Sequence, residues 1–375
     1  MSKNGNGEGT ITLRADGRYM ARLRIGDGAR RTFYGKTRKE VRSKLDAARR
    51  DYESGRLSVD PGKKVGDYLD EWLNQSAGRR VRATTLDSYR LNVERARPYI
   101  GALRLDKLRH THIQDAYDGL RRAGLSERSV QQAHGVLRMA LRQAVKWGYM
   151  AYCPTDLVSA PRPAHKEMRP LTADEARTLL DTSKGDALYP LWAVLVSTGV
   201  RVGEATALGW DDVDLEARTI RVRRTLHRQV GKGLVFGEPK TTRSRRTVEL
   251  PAVVVSALRA HRIRQVENRL LAGSEWCDQG LVFTTPTGGL VDPAAPNRQL
   301  HRALAAAGLP RVRVHDLRHT AATLMLERGV SIKAVQNALG HSTATLTINT
   351  YAHLTTDMQR EAVRAMDALF SASGA

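Results

Sequence analysis

The run His315-Asp316-Leu317-Arg318-His319-Thr320, followed by Leu339-Gly340-His341-Ser342 and then by Tyr351, decides how the rest of the chain is read. His315 and Arg318 stand three apart, the spacing that puts two side chains on one face of a helix. His341 and Tyr351 follow at a distance that lets a loop or short helix carry them back over that face. Two upstream residues complete the set. One is Arg201, within Ser197-Thr198-Gly199-Val200-Arg201-Val202-Gly203-Glu204; the other is Lys240, within Pro239-Lys240-Thr241-Thr242.

Taken singly, each residue has a plain structural reading. Arg201 reads as the salt-bridge partner of Glu204. Lys240 stands among Thr241, Thr242, Arg243, Arg245 and Arg246 and reads as part of a solvated basic hairpin. His315 and His319 are an i,i+4 pair, which suggests a metal. However, Asp316 stands where a zinc-protease helix has Glu, and no third ligand is spaced nearby. His341 alone suits a capped or core histidine, and Tyr351 a core or rim phenol. Together they suit something else. Metal-free phosphate chemistry needs cationic forks on the non-bridging oxygens, an acid for the leaving oxygen, a proton relay and a nucleophile. No carboxylate cluster suited to two metals stands beside the set. The one candidate nucleotide loop, Gly35-Lys36-Thr37, has Arg30 where its first glycine belongs.

Composition points the same way. The 375 residues carry a net charge of +22, so the length predicts two or three domains and the charge a polyanionic partner, most often nucleic acid. Part of the preference for Arg over Lys fits a GC-rich genome, but that does not account for the net excess. Cys153 and Cys277 are far apart, with no disulfide framework or four-ligand zinc pattern, which fits a reducing cytoplasm. Met1 to Gly9 is polar and Gly-rich, unlike a signal peptide, and no run approaches a membrane span.

Residues 10 to 34 alternate with a period of two: Tyr19, Ala21, Leu23 and Ile25 against Met20, Arg22 and Arg24. Turns at Asp16-Gly17 and Gly26-Asp27-Gly28 make this three short strands, and Thr37 to Glu40 is a capping box for a helix through about Tyr52. Residues 1 to 63 hold 16 Lys or Arg against 8 Asp or Glu. A sheet face with Arg22 and Arg24, rimmed by Arg14, Arg18, Arg30 and Arg31, suits a DNA major groove, and equally a solvated charged face.

After a linker at 58–64 come four helical segments: Val65 to Gln75, Thr84 to Ile100, His112 to Ala123 and Ser126 to Trp147. Their apolar stripes read as core, and their polar sides are rich in arginine, among them Arg79, Arg80 and Arg82. Pro161-Arg162-Pro163 marks a second linker, 158–168. From Arg169 the pattern is mixed. Helices are expected from Thr172, over Ala187 to Ser197, Pro251 to Arg269, Asn297 to Ala307, His315 to Glu327 and Ile332 to Leu339. Strands are expected at Thr219 to Val222 and Arg246 to Leu250, and a tail helix over about Thr356 to Phe370. The fold class is multidomain α+β: a three-stranded sheet plus helix, an all-helical domain, and a mainly helical mixed α/β domain.

On the stretches around Arg201, Lys240, His315 to Thr320, Leu339 to Ser342 and Tyr351, the sequence resembles a tyrosine recombinase of the bacteriophage integrase type. The resemblance implies an arm-type DNA-binding domain at 1–57, a core-binding domain at 65–157, a catalytic domain at 169–355 and a tail helix at 356–375 docking in trans. It implies that Tyr351 attacks the scissile phosphate to form a 3′-phosphotyrosyl bond. Arg201 and Arg318 would hold the non-bridging oxygens, Lys240 protonate the 5′-oxygen, His315 relay the tyrosine proton, His341 hydrogen-bond the phosphate and Glu204 orient the site. Arg14, Arg18, Arg22, Arg24, Arg30, Arg31, Arg79, Arg80, Arg82, Arg243 and Arg245 would contact DNA. No metal, cofactor or ATP is implied. The implied partners are double-stranded DNA with core-type and arm-type attachment sites, three further copies in a synaptic tetramer, a DNA-bending host factor and an excisionase, in the bacterial cytoplasm at the nucleoid. A type IB topoisomerase-like enzyme and a non-enzymatic DNA-binding regulator are the alternative readings.

Overall fold

The computed structural model describes residues 11–25, 29–53, 60, 62–164, 169–238 and 245–340. Several expectations lie outside these residues: the turn at Gly26 to Gly28, Lys240, Arg243, His341, Tyr351 and the tail helix. The side chains of Arg24, Arg30 and Arg31 lie outside them too. The chain divides into two compact units, Met1–His165 and Lys166–Ala375.

The first unit opens with an antiparallel sheet of β1 (Ile11–Leu13), β2 (Tyr19–Ile25) and β3 (Ala29–Gly35) in that order. β2 and β3 pair along their whole length, with Arg22 opposite Thr32. The period-two pattern sorts the strand: Ala21 and Leu23 are buried and Arg22 is exposed. Helix α1 (Arg38–Glu53) lays Val41, Leu45 and Ala48 on the buried face. Thr37 Oγ1 accepts the Glu40 amide at 3.1 Å, while the Glu40 carboxylate reaches one residue further than a capping box requires, to the Lys36 amide at 2.9 Å.

Four helices follow: α2 (Val65–Trp72), α3 (Ala83–Ile100), α4 (His110–Arg122) and α5 (Glu127–Lys146). Their stripes meet in one core that includes Tyr68, Leu69, Ile100, Ile113, Leu120, Leu137 and Leu141. Buried hydroxyls find partners: Tyr68 donates to the Ala140 carbonyl at 2.6 Å, and Tyr117 Oη lies 2.8 Å from His134 Nδ1. The first helix differs from the expected single span to Gln75. After Trp72 the backbone widens into a π-helical turn, Leu73–Ala77, which buries Leu73, Ser76 and Ala77 together.

In the second unit, α6 (Ala173–Thr182) starts at the Thr172–Glu175 capping box that the sequence predicts. Helix α7 (Tyr189–Thr198) is apolar all round and nearly every residue of it is buried. The short α8 (Val202–Ala205) follows. Strands β4 (Val213–Asp214) and β5 (Thr219–Val222) precede a hairpin of β6 (Thr225–Gln229) and β7 (Gly233–Gly237), and β8 (Arg246–Glu249) closes the sheet in the order β4-β5-β8. The hairpin is absent from the sequence expectation. Its strands mix polar and apolar residues and bury only Leu226, so no period stands out. Helices α9 (Ala252–Ala272), α10 (Pro296–Ala306), α11 (Val314–Glu327) and α12 (Ile332–Leu339) complete the described fold. Among the described residues no helix is long and apolar enough to cross a membrane.

Candidate active site

The site forms where two helix C-termini meet. Helix α7 ends at Gly199 (φ 65°) and α12 at Gly340 (φ 66°), both in the left-handed region that glycine adopts without strain. The approach is close: a Cβ on Gly199 would lie 2.4 Å from Leu339 Cδ2 and 3.2 Å from the Ala321 Cβ. Helix C-termini leave carbonyl oxygens unpaired and carry partial negative charge, and guanidinium groups answer both needs.

Arg318, on α11, is one of these. It is only 4% exposed. Its Nη1 donates to the Gly199 carbonyl and its Nη2 to the Leu339 carbonyl, each at 2.7 Å. One side chain thereby fastens the loop that leads into Arg201 to the turn that leads into His341.

Arg201 caps the start of α8. Its backbone amide donates to Glu204 Oε2 at 3.0 Å, and its Nη1 to Glu204 Oε1 at 2.7 Å. The Arg201 side chain remains 40% exposed while that of Glu204 is 3% exposed, so the carboxylate is the anchor and the guanidinium the outward group. Glu204 has a second cation: Arg246 Nη2 stands 3.0 Å from Oε2. Burial pushes the Glu204 carboxyl up, but the charge and hydrogen bond of Arg246, then those of Arg201, outweigh it and hold the group below the usual carboxylate range.

His315 is solvent-exposed in the first turn of α11 and meets His319 edge to face, with ring centroids 5.4 Å apart. Partial desolvation, then the charge of Arg318 and that of Arg201, hold His315 below the ordinary imidazole value. His315 is therefore neutral at neutral pH and able to accept a proton. Asp316, between His315 and Arg318 in sequence, accepts the Arg313 amide at 2.8 Å and starts the helix, and its charge partly offsets the effect of the arginines on His315.

Of the arginines expected to meet DNA, Arg14, Arg18 and Arg22 are exposed around the sheet, and Arg14 lies over the Tyr34 ring. Arg79, Arg80 and Arg82 are exposed together just before α3. Arg245 is exposed and pairs with Glu238 at 3.0 Å.

Sequence reasoning treated Arg246 as one more residue of a solvated basic hairpin, and the structure corrects this. Its side chain is 7% exposed, bonded to Glu204 and, through Nε, to the Ala338 carbonyl at 2.8 Å. The signal was present in the alternation of β8, where Arg246, Val248 and Leu250 turn inward while Thr247 and Glu249 stay exposed.

Comparison with known proteins identifies the family. The profile of the phage integrase family matches residues 169–358, and that of the phage integrase N-terminal SAM-like domain matches residues 64–121. A tyrosine recombinase XerC-like protein of Caldanaerobacter subterraneus subsp. tengcongensis is 31% identical over 364 residues, covering 91% of this chain and 92% of the relative. Among solved structures, the Tn1549 transposon integrase in complex with transposon right end DNA shares the fold. Its TM-score is 0.69 at 23% identity, over 81% of this chain and 100% of that one. A lambda integrase tetramer bound to a Holliday junction matches with a TM-score of 0.57 at 19% identity, over 93% of this chain and 96% of that one.

Proposed function

The chain belongs to the phage integrase family and is a site-specific tyrosine recombinase, and we propose that it integrates and excises DNA between attachment sites through a 3′-phosphotyrosyl intermediate on Tyr351. The observation that carries this reading is the convergence at Gly199 and Leu339. An exposed cation held by a buried carboxylate, a buried cation between two helix C-termini, and a neutral imidazole beside both are what phosphoryl transfer to a phenol asks for.

In this reading Arg201 and Arg318 hold the non-bridging oxygens, where charge grows in the transition state. Arg318 acts from a desolvated position, where a guanidinium counts for most. His315 accepts the Tyr351 proton as the phenol oxygen bonds to phosphorus, the bond from phosphorus to the 5′-oxygen breaks, and Lys240 protonates that oxygen, which leaves as a 5′-hydroxyl. His341 donates to the phosphate. A 5′-hydroxyl from the partner duplex reverses the step, so bond energy is kept and the strands are exchanged, not hydrolysed.

Residues 1–57 would bind arm-type DNA through the Arg22 face of the sheet. Residues 65–157 and 169–355 would hold the core site, and the tail at 356–375 would dock on the next protomer of a tetramer. The presence of a lambda integrase tetramer among the structural neighbours supports that assembly. A DNA-bending host factor and an excisionase would set direction, and the work would take place in the cytoplasm at the nucleoid.

Joint molecules test the reading. The full chain is incubated with supercoiled DNA carrying one junction of its own genetic element and a linear duplex carrying the other. Covalently joined recombinants support it. Relaxation of the supercoil with no joint product would favour topoisomerase-like chemistry instead.

A further inference from the structure

We propose that Arg246 is a positioning residue of strand cleavage: it holds Glu204 by one carboxylate oxygen, so that the Arg201 side chain is gripped by the other alone and keeps the rest of its fork for the scissile phosphate. This rests on the recombinase reading above.

The geometry shows one carboxylate shared by two guanidinium groups with different fates. Arg246 is 7% exposed and donates to Oε2; Arg201 is 40% exposed and donates from Nη1 to Oε1. Among the described residues, the Arg201 side chain makes that single hydrogen bond. Guanidinium and carboxylate prefer two parallel hydrogen bonds when both oxygens are open to one fork. Arg246 shares the second oxygen with the Arg201 backbone amide, each at 3.0 Å, and together they keep the Arg201 fork off it. Loss of Arg246 would let Glu204 draw the Arg201 fork inward, away from a phosphate.

Arg246 is also fixed at its other end. Its Nε donates to the Ala338 carbonyl at 2.8 Å, and a Cβ on Gly340 would lie 3.0 Å from its Nη1. It therefore spans from the Arg201 helix to the end of α12, directly before His341, and starts the strand that follows the Lys240 stretch. A buried ion pair is in itself weak grounds for stability, because a well-packed apolar pair of similar volume is often as stable. An arrangement that meets the segments before or after three site residues is better explained by positioning.

The test compares full-length wild type, Arg246→Met and Arg246→Lys on nicked duplexes from the element's own junction. The scissile group is either a phosphodiester or a methylphosphonate, in which an uncharged methyl replaces one non-bridging oxygen. On the phosphodiester, Arg246→Met should form the covalent adduct about 100-fold more slowly than wild type, the size of effect seen when one transition-state donor is lost, with DNA binding unchanged. On the methylphosphonate, which has less charge for Arg201 to hold, the gap to wild type should narrow sharply. Arg246→Lys keeps the charge without the planar fork and should fall between. If Arg246→Met does not fold, Arg246→Lys carries the same comparison. Wild-type rates in the variants, or slowing by the same factor on both substrates, would overturn the proposal and leave Arg246 a structural residue. A wild-type chain that forms no adduct on either DNA would overturn the recombinase chemistry, and this inference with it.

Discussion

Arg318 donates from Nη1 to the Gly199 carbonyl oxygen at 2.7 Å, joining residues 119 apart in the chain. Gly199 sits at φ 65°, and a Cβ there would lie 2.4 Å from Leu339 Cδ2. Gly199→Ala should therefore cost about 1–3 kcal/mol in backbone strain, with the clash against Leu339 in addition. Calorimetry should show the melting temperature falling. An unchanged melting temperature would mean that the junction relaxes freely.

Glu204 is buried between two cations, so its removal strands Arg246. Glu204→Ala should lose about 3–5 kcal/mol, as for other buried pairs broken on one side. The double variant Glu204→Leu with Arg246→Met should regain most of that stability, because neither member of the pair is left as an uncompensated buried charge, yet remain defective in cleavage. Denaturant melts of the single and double variants check this; equal losses in both would contradict the account.

The His315 imidazole is held below its ordinary value of 6.5 by desolvation and by Arg318 and Arg201. The fold therefore favours the neutral ring. Its contribution to stability is present at neutral pH and is lost as pH falls from the unfolded value of 6.5 toward the lower folded value. For activity, the base form persists into acid. The adduct-forming rate, followed between roughly pH 5 and 8, should stay flat through 6.5 and fall only below it. His315→Ala should lower the whole profile and remove that limb. A limb centred at or above 6.5 would count against His315 as the proton relay.

The N-terminal sheet and α1 have an apolar core of their own, with Ala21 and Val41 fully buried. Deleting residues 1–57 should abolish binding to arm-type DNA while leaving adduct formation at a core site intact. Gel shifts on the two DNAs separate the outcomes, and loss of core cleavage would mean that the sheet belongs to the catalytic machinery.

Much of this architecture was legible in the sequence because the relevant signals are local. Period-two alternation at Ala21 to Leu23, the Thr172–Glu175 cap and the stripe of α5 each depend on neighbours a few residues away. Arg201 beside Glu204 was legible for the same reason, being one turn apart. What escaped was set by distant partners. The burial of Arg246 depends on Glu204, 42 residues away, and on Ala338, 92 residues away, so its charged neighbours in sequence gave the wrong impression. The anchoring of Arg318 on Gly199 is likewise tertiary. The hairpin β6–β7 escaped because its strands have no cleanly buried face, although Gly231 and Gly233, both at positive φ, mark its turn.

The most direct measurement is a covalent trap. A nicked duplex from the element's own junction, labelled on the strand that keeps its 3′-phosphate, is incubated with the full chain and run on a denaturing gel. The account predicts a slow, protease-sensitive band with wild type that disappears in Tyr351→Phe while DNA binding persists. An adduct of equal yield in Tyr351→Phe, or tight binding by wild type with no adduct at all, would contradict it.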